Sequence, residues 1–397
     1  MPADVDAAAM LTAVVEGGNC SGCGLCVARS KKLVLELDHE GFPRPRIVRP
    51  GGNAGILEGE FGAICPGVGL SRAVGSAHED VVFGRYVSVW RGYALDAETR
   101  FRGSSGGVLT ALSSWLLSTG AAAGVTAVRQ SDASARTEGY LAATPQELRA
   151  SAGSRYAPAS TGALFSRSEQ LVLVGRPCEI AAARALWGDD GAPRLSFFCA
   201  GLPSQLATDS LIDSLGFPAD SRISYRGNGC PGPTRIQSTG RSIDLAYSDV
   251  WGKHLGPTIQ WRCKICPDGT GEAADIAVGD LWPISDQGNP VFQENAGYSV
   301  VIARTIRGHN LLMAACDQGI VALDTVLWPE IYDSQPSQVL RKRTLAGRLV
   351  GAVVMGRAVP RYKGYGLLRL ALRSPFATVR AALGTIRRIR AGSTGEM

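Results

Sequence analysis

Eight of the ten cysteines fall into two sets of four. Cys20, Cys23 and Cys26 form a CxxCxxC tripod, completed downstream by Cys65-Pro66. Cys199, Cys230 and the pair Cys263-Lys-Ile-Cys266 form the second set. Four thiolates can hold an iron–sulfur cluster, which stores and passes single electrons, a task that no side chain does well. Two such sites in one chain imply a protein that moves electrons from a donor to something else.

The first set is the more specific. A tripod on a turn lets three thiolates converge on one cubane, and a distant Cys-Pro closes the fourth corner. Ser30 stands where a two-cluster ferredoxin carries the cysteine for its other cluster, so this segment reads as one [4Fe-4S] site with Cys65 as fourth ligand. Structural zinc also takes four thiolates, though more often through two separated CxxC pairs. The second set has only the local hook Cys263/Cys266, and spacing alone leaves a cluster, a zinc site and buried thiols open. Cys199 and Cys230 are each followed closely by Gly and Pro, which suits tight turns around a cofactor. Cys178 and Cys316 remain over, with Cys316 expected in the core of a helical apolar run.

The turn Gly103-Ser104-Ser105-Gly106-Gly107 opens a helix, VLTALSSWLLSTG, that stops at Gly120. Backbone N–H groups at such a start attract phosphate, although Ser104 or Ser105 could equally be a plain N-cap. It is neither a dinucleotide GxGxxG nor a Walker loop. Four histidines in 397 residues suggest no His-based metal site or hydrolytic triad.

The elements that must position these residues alternate. Residues 81–97, 123–128, 171–175, 195–199, 222–225, 275–279 and 298–304 read as strands, with helical stretches near 145–152 and 179–187. That order predicts a mixed α/β fold in three parts. Residues 1–75 would be a ferredoxin-like cluster segment, 76–335 an α/β core and 336–397 a basic helical tail. Met1 to Met10 shows no secretory signal and no run of about 18 apolar residues occurs, so the cytoplasm is the expected location.

The net charge of +6 is uneven: from Gln338 onward thirteen Lys or Arg face one acidic residue, Glu396, whereas the preceding 337 residues carry −6. The tail is thus expected to be a separate electrostatic object. Helices flanking Pro375 would gather aliphatic and Arg side chains on different faces. Peripheral contact with an anionic membrane, steering of an acidic ferredoxin and a solvated helix pair covering the core are the three readings. Nucleic acid is not expected, since only Tyr362, Tyr365 and Phe376 accompany the arginines.

Seven stretches in order resemble the coenzyme F420 hydrogenase/dehydrogenase β-subunit family. They are Gly103–Val108, Gly153-Ser-Arg155-Tyr156-Ala-Pro-Ala-Ser160, Gly175-Arg-Pro-Cys178, Phe198-Cys199-Ala-Gly201-Leu-Pro-Ser204, Arg226-Gly-Asn-Gly-Cys230, Cys263-Lys-Ile-Cys266-Pro-Asp268 and Glu272-Ala-Ala-Asp275-Ile-Ala-Val-Gly279-Asp280-Leu-Trp282. The resemblance spans about 90 to 305 and implies a flavin enzyme with FAD beside a [4Fe-4S] cluster. It implies Cys199, Cys230, Cys263 and Cys266 as the second cluster's ligands. For the flavin it implies Arg102, Ser104, Ser105, Gly106, Gly107, Arg155, Tyr156, Ser160, Gly279, Asp280 and Trp282. Arg155, Arg176 and Ala200 depart from the residues most frequent among relatives, so F420 is not carried over as substrate, although it stays a candidate electron donor or acceptor.

The expected chemistry is a relay between a low-potential donor, ferredoxin or reduced F420, and an organic small-molecule substrate through two clusters and FAD. Lys253 and His254, in one turn before the Cys263 hook, are candidate proton donors, against a reading as solvent-facing Lys and structural His. A non-catalytic electron-transfer subunit of a larger complex and a zinc-stabilised binding protein are the alternatives. An oligomer is open.

Overall fold

The computed structural model describes residues 5–72, 78–168 and 170–392. The expected boundary at residue 75, the first four residues and Glu396 lie outside them.

The core is an eight-stranded mixed sheet built from β1 (Ser88–Ala94), β2 (Gly124–Gln130), β3 (Thr137–Ala142), β4 (Leu171–Gly175), β5 (Arg194–Phe197), β6 (Ile276–Asp280), β7 (Ser299–Ala303) and β8 (Val321–Asp324). Their spatial order is β8-β1-β7-β6-β5-β4-β2-β3. The central strands β2, β4, β5 and β6 run parallel, with Leu195 of β5 opposite Val174 on one side and Ile276 on the other. Antiparallel strands close both flanks. Strands buried on both faces read as unbroken apolar runs; β7, Ser-Val-Val-Ile-Ala, is buried at all five positions. The parallel strands all end on one edge, where open α/β sheets bind ligands.

The helix Val108–Ser118 begins at Gly107, whose φ of +72° admits glycine at low cost, and buries Val108, Ala111, Leu112 and Leu116 at helical spacing. The helix Pro177–Trp187 starts with proline at its first position, where a missing N–H costs nothing. Glu179 reaches back to accept from the Arg176 N–H at 2.7 Å. The N-terminal segment comprises helices Ala8–Glu16, Leu25–Arg29 and Glu58–Ile64 and the hairpin Leu33–Leu37/Pro43–Ile47. It is joined to the rest by a parallel pairing of Gly69–Ser71 with Arg361–Lys363. Expected strands fall within a few residues of the observed ones, except that 81–97 splits into Gly84–Tyr86, β1 and a helix from Ala97 that Asp96 caps.

The tail is not a separate object at its start. The helix Pro336–Val354 buries Gln338, Val339, Lys342, Thr344 and Leu345 against the body. Lys342 donates to Pro267 O at 2.6 Å and pairs with the buried Glu272. Helices Leu367–Arg373 and Pro375–Arg390 follow, flanking Pro375 as expected. Among the described residues no helix is long and apolar enough to cross a membrane.

Candidate functional site

Cys20, Cys23, Cys26 and Cys65 line one largely apolar cavity with Leu11, Val14, Phe61 and Ile64. Gly22 and Gly24 hold the tripod loop at φ of +65° and +84°, and a Cβ on Gly24 would lie 2.8 Å from Ala163 N. The Gly22 N–H donates to Cys20 Sγ at 3.4 Å, and backbone N–H groups near Cys23, Cys26 and Cys65 favour their thiolates. Burial pushes Cys23 up to about 11 and Cys65 to about 12, each raised further by the neighbouring thiols. Bare, these thiols stay protonated at neutral pH, and binding a cationic group would release their protons. Among the described residues no three His, Cys, Asp or Glu side chains are drawn together tightly enough to hold a single metal ion. Four separated thiols with N–H donors around one cavity suit the edges of an iron–sulfur cube.

The second set is redistributed. Cys199 lies within electrostatic range of Cys263 and Cys266, and Cys178 within range of Cys199 and of Cys23. The buried Arg262 feels Cys266, Cys178 and Cys263 together. Cys230 stands elsewhere: its N–H donates to Glu294 Oε1 at 2.7 Å, and Asp280, Arg226 and Glu294 are the charges acting on its thiol. By these electrostatic neighbourhoods Cys178 stands with Cys199, Cys263 and Cys266, while Cys230 stands among Asp280, Arg226 and Glu294. Cys199 and Cys178 end up adjacent because β4 and β5 are parallel neighbours, and each cysteine follows its strand's end.

The two cysteine groups are tied together. Gln260 Nε2 donates to Ser21 O at 3.2 Å and to Cys263 Sγ at 3.5 Å. Arg262 Nη2 donates to Pro66 O at 2.9 Å, and Arg176 Nη2 to Gly22 O at 3.0 Å.

A cleft of about 1130 Å3, its mouth included, runs along the carboxyl edge of the parallel strands. Ser104, Gly107, Arg155, Arg176, Cys199 and Asp280 line it. A second cavity of about 860 Å3 continues it and shares Arg155 and Arg176. Ser104 Oγ lies 2.7 Å from Ser154 Oγ. Arg155 spends Nε on Thr137 Oγ1 (2.9 Å) and Nη1 on Ile223 O (3.0 Å). Its buried Nη2, and Nε of the buried Arg176, have no hydrogen-bond partner. Burial lowers the Arg155 pKa. Unpaired guanidinium nitrogens in a buried site fit a phosphate-bearing ligand. Arg226 is the brace opposite. It grips Asp280 at 3.0 and 3.1 Å, bonds Ser104 O and donates to the Tyr156 hydroxyl at 3.2 Å. Tyr247 and Trp282 flank its guanidinium at 4.8 Å each.

Several expected contacts belong to this brace or to other neighbours. Gly106 faces the sheet: its N–H donates to Ser299 Oγ at 3.0 Å and a Cβ would meet Gly92 O at 2.5 Å, so it offers no donor to an anion. Ser105 bonds Tyr298 O. Gly279 makes room for Phe198, whose ring lies 2.3 Å from a virtual Cβ. Ser160 Oγ donates to Gly22 O at 2.8 Å and supports the first cysteine loop. Arg102 points outward to Glu98, and Trp282 packs on Phe292 at 4.8 Å. Lys253 and His254 lie on an exposed wide turn, Lys253 paired with Asp249 at 2.8 Å, while Trp251 of the same turn reaches the cleft. The wide turn buries Val250 and Leu255 and so turns the polar pair outward. His254→Ala is accordingly expected to leave redox turnover within about twofold of wild type, as surface changes do.

Sheet, edge cleft and two linked thiol groups define a redox protein of mixed α/β class. The chain belongs to the coenzyme F420 hydrogenase/dehydrogenase beta subunit family: the N-terminal family model matches residues 89–165 and the C-terminal one residues 168–326. The coenzyme F420 hydrogenase subunit beta of Methanococcus voltae is 23% identical over 256 residues, 60% of this chain and 84% of its own. A coenzyme F420-dependent sulfite reductase of Methanocaldococcus jannaschii is also 23% identical, over 76% of this chain, which spans 46% of that protein. A chain of the F420-reducing [NiFe] hydrogenase complex of Methanosarcina barkeri superposes with a TM-score of 0.48 at 20% identity, covering 67% of this chain and 95% of its own.

Proposed function

We propose that this protein is an iron–sulfur flavoprotein oxidoreductase relaying electrons between a low-potential donor, ferredoxin or reduced coenzyme F420, and an organic substrate. The carrying observation is the contiguity of the three sites: Cys199 lines the cleft, Arg176 joins the cleft to Gly22 of the first thiol loop, and Cys178 lies within electrostatic range of both Cys23 and Cys199. When bound, [4Fe-4S] clusters carry single electrons and FAD exchanges them in pairs with an organic molecule. Cys20, Cys23, Cys26 and Cys65 would hold one cluster, and Cys178, Cys199, Cys263 and Cys266 the other. Arg155 and Arg176 would hold the phosphates of FAD, beside Ser104 and Ser154. Arg226 and Asp280 fix the serine turn that shapes this wall. Tyr156 lines the cleft and accepts from Arg226, which makes its hydroxyl the candidate proton donor there. F420 in the names of the hydrogenase and sulfite reductase relatives supports coenzyme F420 as the electron donor or acceptor.

Anaerobically purified protein is expected to contain about eight irons, matching sulfide and about one FAD. Ser104→Trp should fill the cleft and abolish flavin binding while iron content holds. Zinc without sulfide in the wild type, or unchanged flavin in Ser104→Trp, would overturn the reading.

A further inference from the structure

The C-terminal helices Leu367–Arg373 and Pro375–Arg390 carry a surface that the redox machinery does not use. The inner face of the longer one packs on the helix Pro336–Val354 so closely that a Cβ on Gly351 would lie 2.6 Å from Ala382 O. Its outer face is unusual. Phe376 is 91% exposed, Leu368 74% and Leu372 72%. Val379 and Leu383 follow Phe376 at intervals of three and four residues, so the three share one stripe.

The exposed residues between 367 and 390 are of only five kinds: Leu, Val, Phe, Pro and Arg. Arg380, Arg387 and Arg390 fall on the stripe itself, and Arg369 and Arg373 each follow one of its leucines directly. No Asp or Glu occurs from 338 to 392. A protein partner is specified by hydrogen-bonding polar groups around an apolar centre. A lipid surface requires no such register, only apolar side chains that enter the acyl boundary and cations that stay among the headgroups. Arginine suits the second role because its stem lies along apolar surface while its head remains in water.

We infer that these two helices lie in the plane of an anionic lipid surface, with Leu368, Leu372, Phe376, Val379 and Leu383 inserted and the flanking arginines on phosphate headgroups. The helix Pro336–Val354, whose Arg341 donates to Cys199 O at 3.0 Å, then seats the second thiol group over that surface. Removing residues 338–397 is no test, since Gln338 and Lys342 are part of the buried core.

The test is sedimentation of the cofactor-loaded full chain with vesicles of phosphatidylcholine, with and without phosphatidylglycerol. Wild type is expected to pellet only with the anionic vesicles, and less as salt rises. Leu372→Ser/Phe376→Ser should stay in the supernatant with unchanged iron and flavin, because both side chains are already in water. Arg380→Gln/Arg387→Gln should also lose binding. Equal wild-type recovery in the supernatant with both vesicle types at low salt overturns the inference, as does undiminished binding of the Leu372/Phe376 variant. Salt-sensitive loss of ferredoxin turnover by the arginine variant without vesicle binding would overturn it in favour of an acidic protein.

Discussion

Cys178→Ser is expected to remove about half of the iron and sulfide from the anaerobic protein, whereas Cys230→Ser should leave both intact. The difference follows from placement. Cys178 lies in the first turn of the helix after β4 and Cys199 two residues beyond β5, so parallel pairing of those strands brings the two thiols to one edge, within electrostatic range of Cys263 and Cys266. Cys230 faces Glu294 and Asp280, whose negative charge opposes a further thiolate. Serine cannot substitute as a soft ligand for iron, and a cube with three thiolates is labile. Metal analysis and the low-temperature electron paramagnetic resonance of the reduced protein would check this together. One remaining cluster signal in Cys178→Ser and two in Cys230→Ser are the expected spectra. The reverse pattern would restore Cys230 as ligand.

The contrast between the two thiol groups shows what could be read from sequence. Cys20, Cys23 and Cys26 are local, their spacing is their geometry, and the structure gathers them with Cys65 in one cavity. The second group is assembled by strand order, and nothing in the chain says which of Cys178 and Cys230 will stand beside Cys199 until β4 and β5 are paired. Strands such as 171–175 were legible because a strand buried on both faces has no polar alternative. The split of 81–97 was not, since it depends on Asp96 capping a short helix. The serine–glycine turn was legible as a helix start, but which of its residues face the cleft depends on Gly106 docking against β1 and β7. Lys253 and His254 drew attention by residue type, and the wide turn that rotates them outward has no signature in the sequence. The charge of the tail was plain. That its first helix is wired into the body rests on Glu272, some 70 residues upstream of Lys342.

That wiring supplies the largest expected loss of stability. Lys342→Met should destabilise the protein by about 3–5 kcal/mol, the usual cost of breaking a buried ion pair from one side. Glu272 is 1% exposed, and Lys342 and Arg72 are its cationic partners, Arg72 Nε standing 2.5 Å from Oε2. Burial pushes the Glu272 carboxyl up, but Lys342 and Arg72 outweigh it and hold the pKa below the ordinary value. A depressed carboxylate contributes stability that is full above its unfolded pKa and is lost as pH falls through the folded one. The gap between wild type and Lys342→Met is therefore expected to be widest near neutrality and to narrow as pH falls below the unfolded glutamate's pKa of about 4.3. Urea midpoints of the cofactor-loaded protein at pH 7 and pH 4, followed by tryptophan fluorescence, would show this. Lys342 also donates to Pro267 O, one residue beyond Cys266, so the loop carrying that thiol should loosen first and release iron from the second site at lower urea than the global transition. A pH-independent gap would mean that the lysine acts through the Pro267 carbonyl alone and that Arg72 suffices for Glu272.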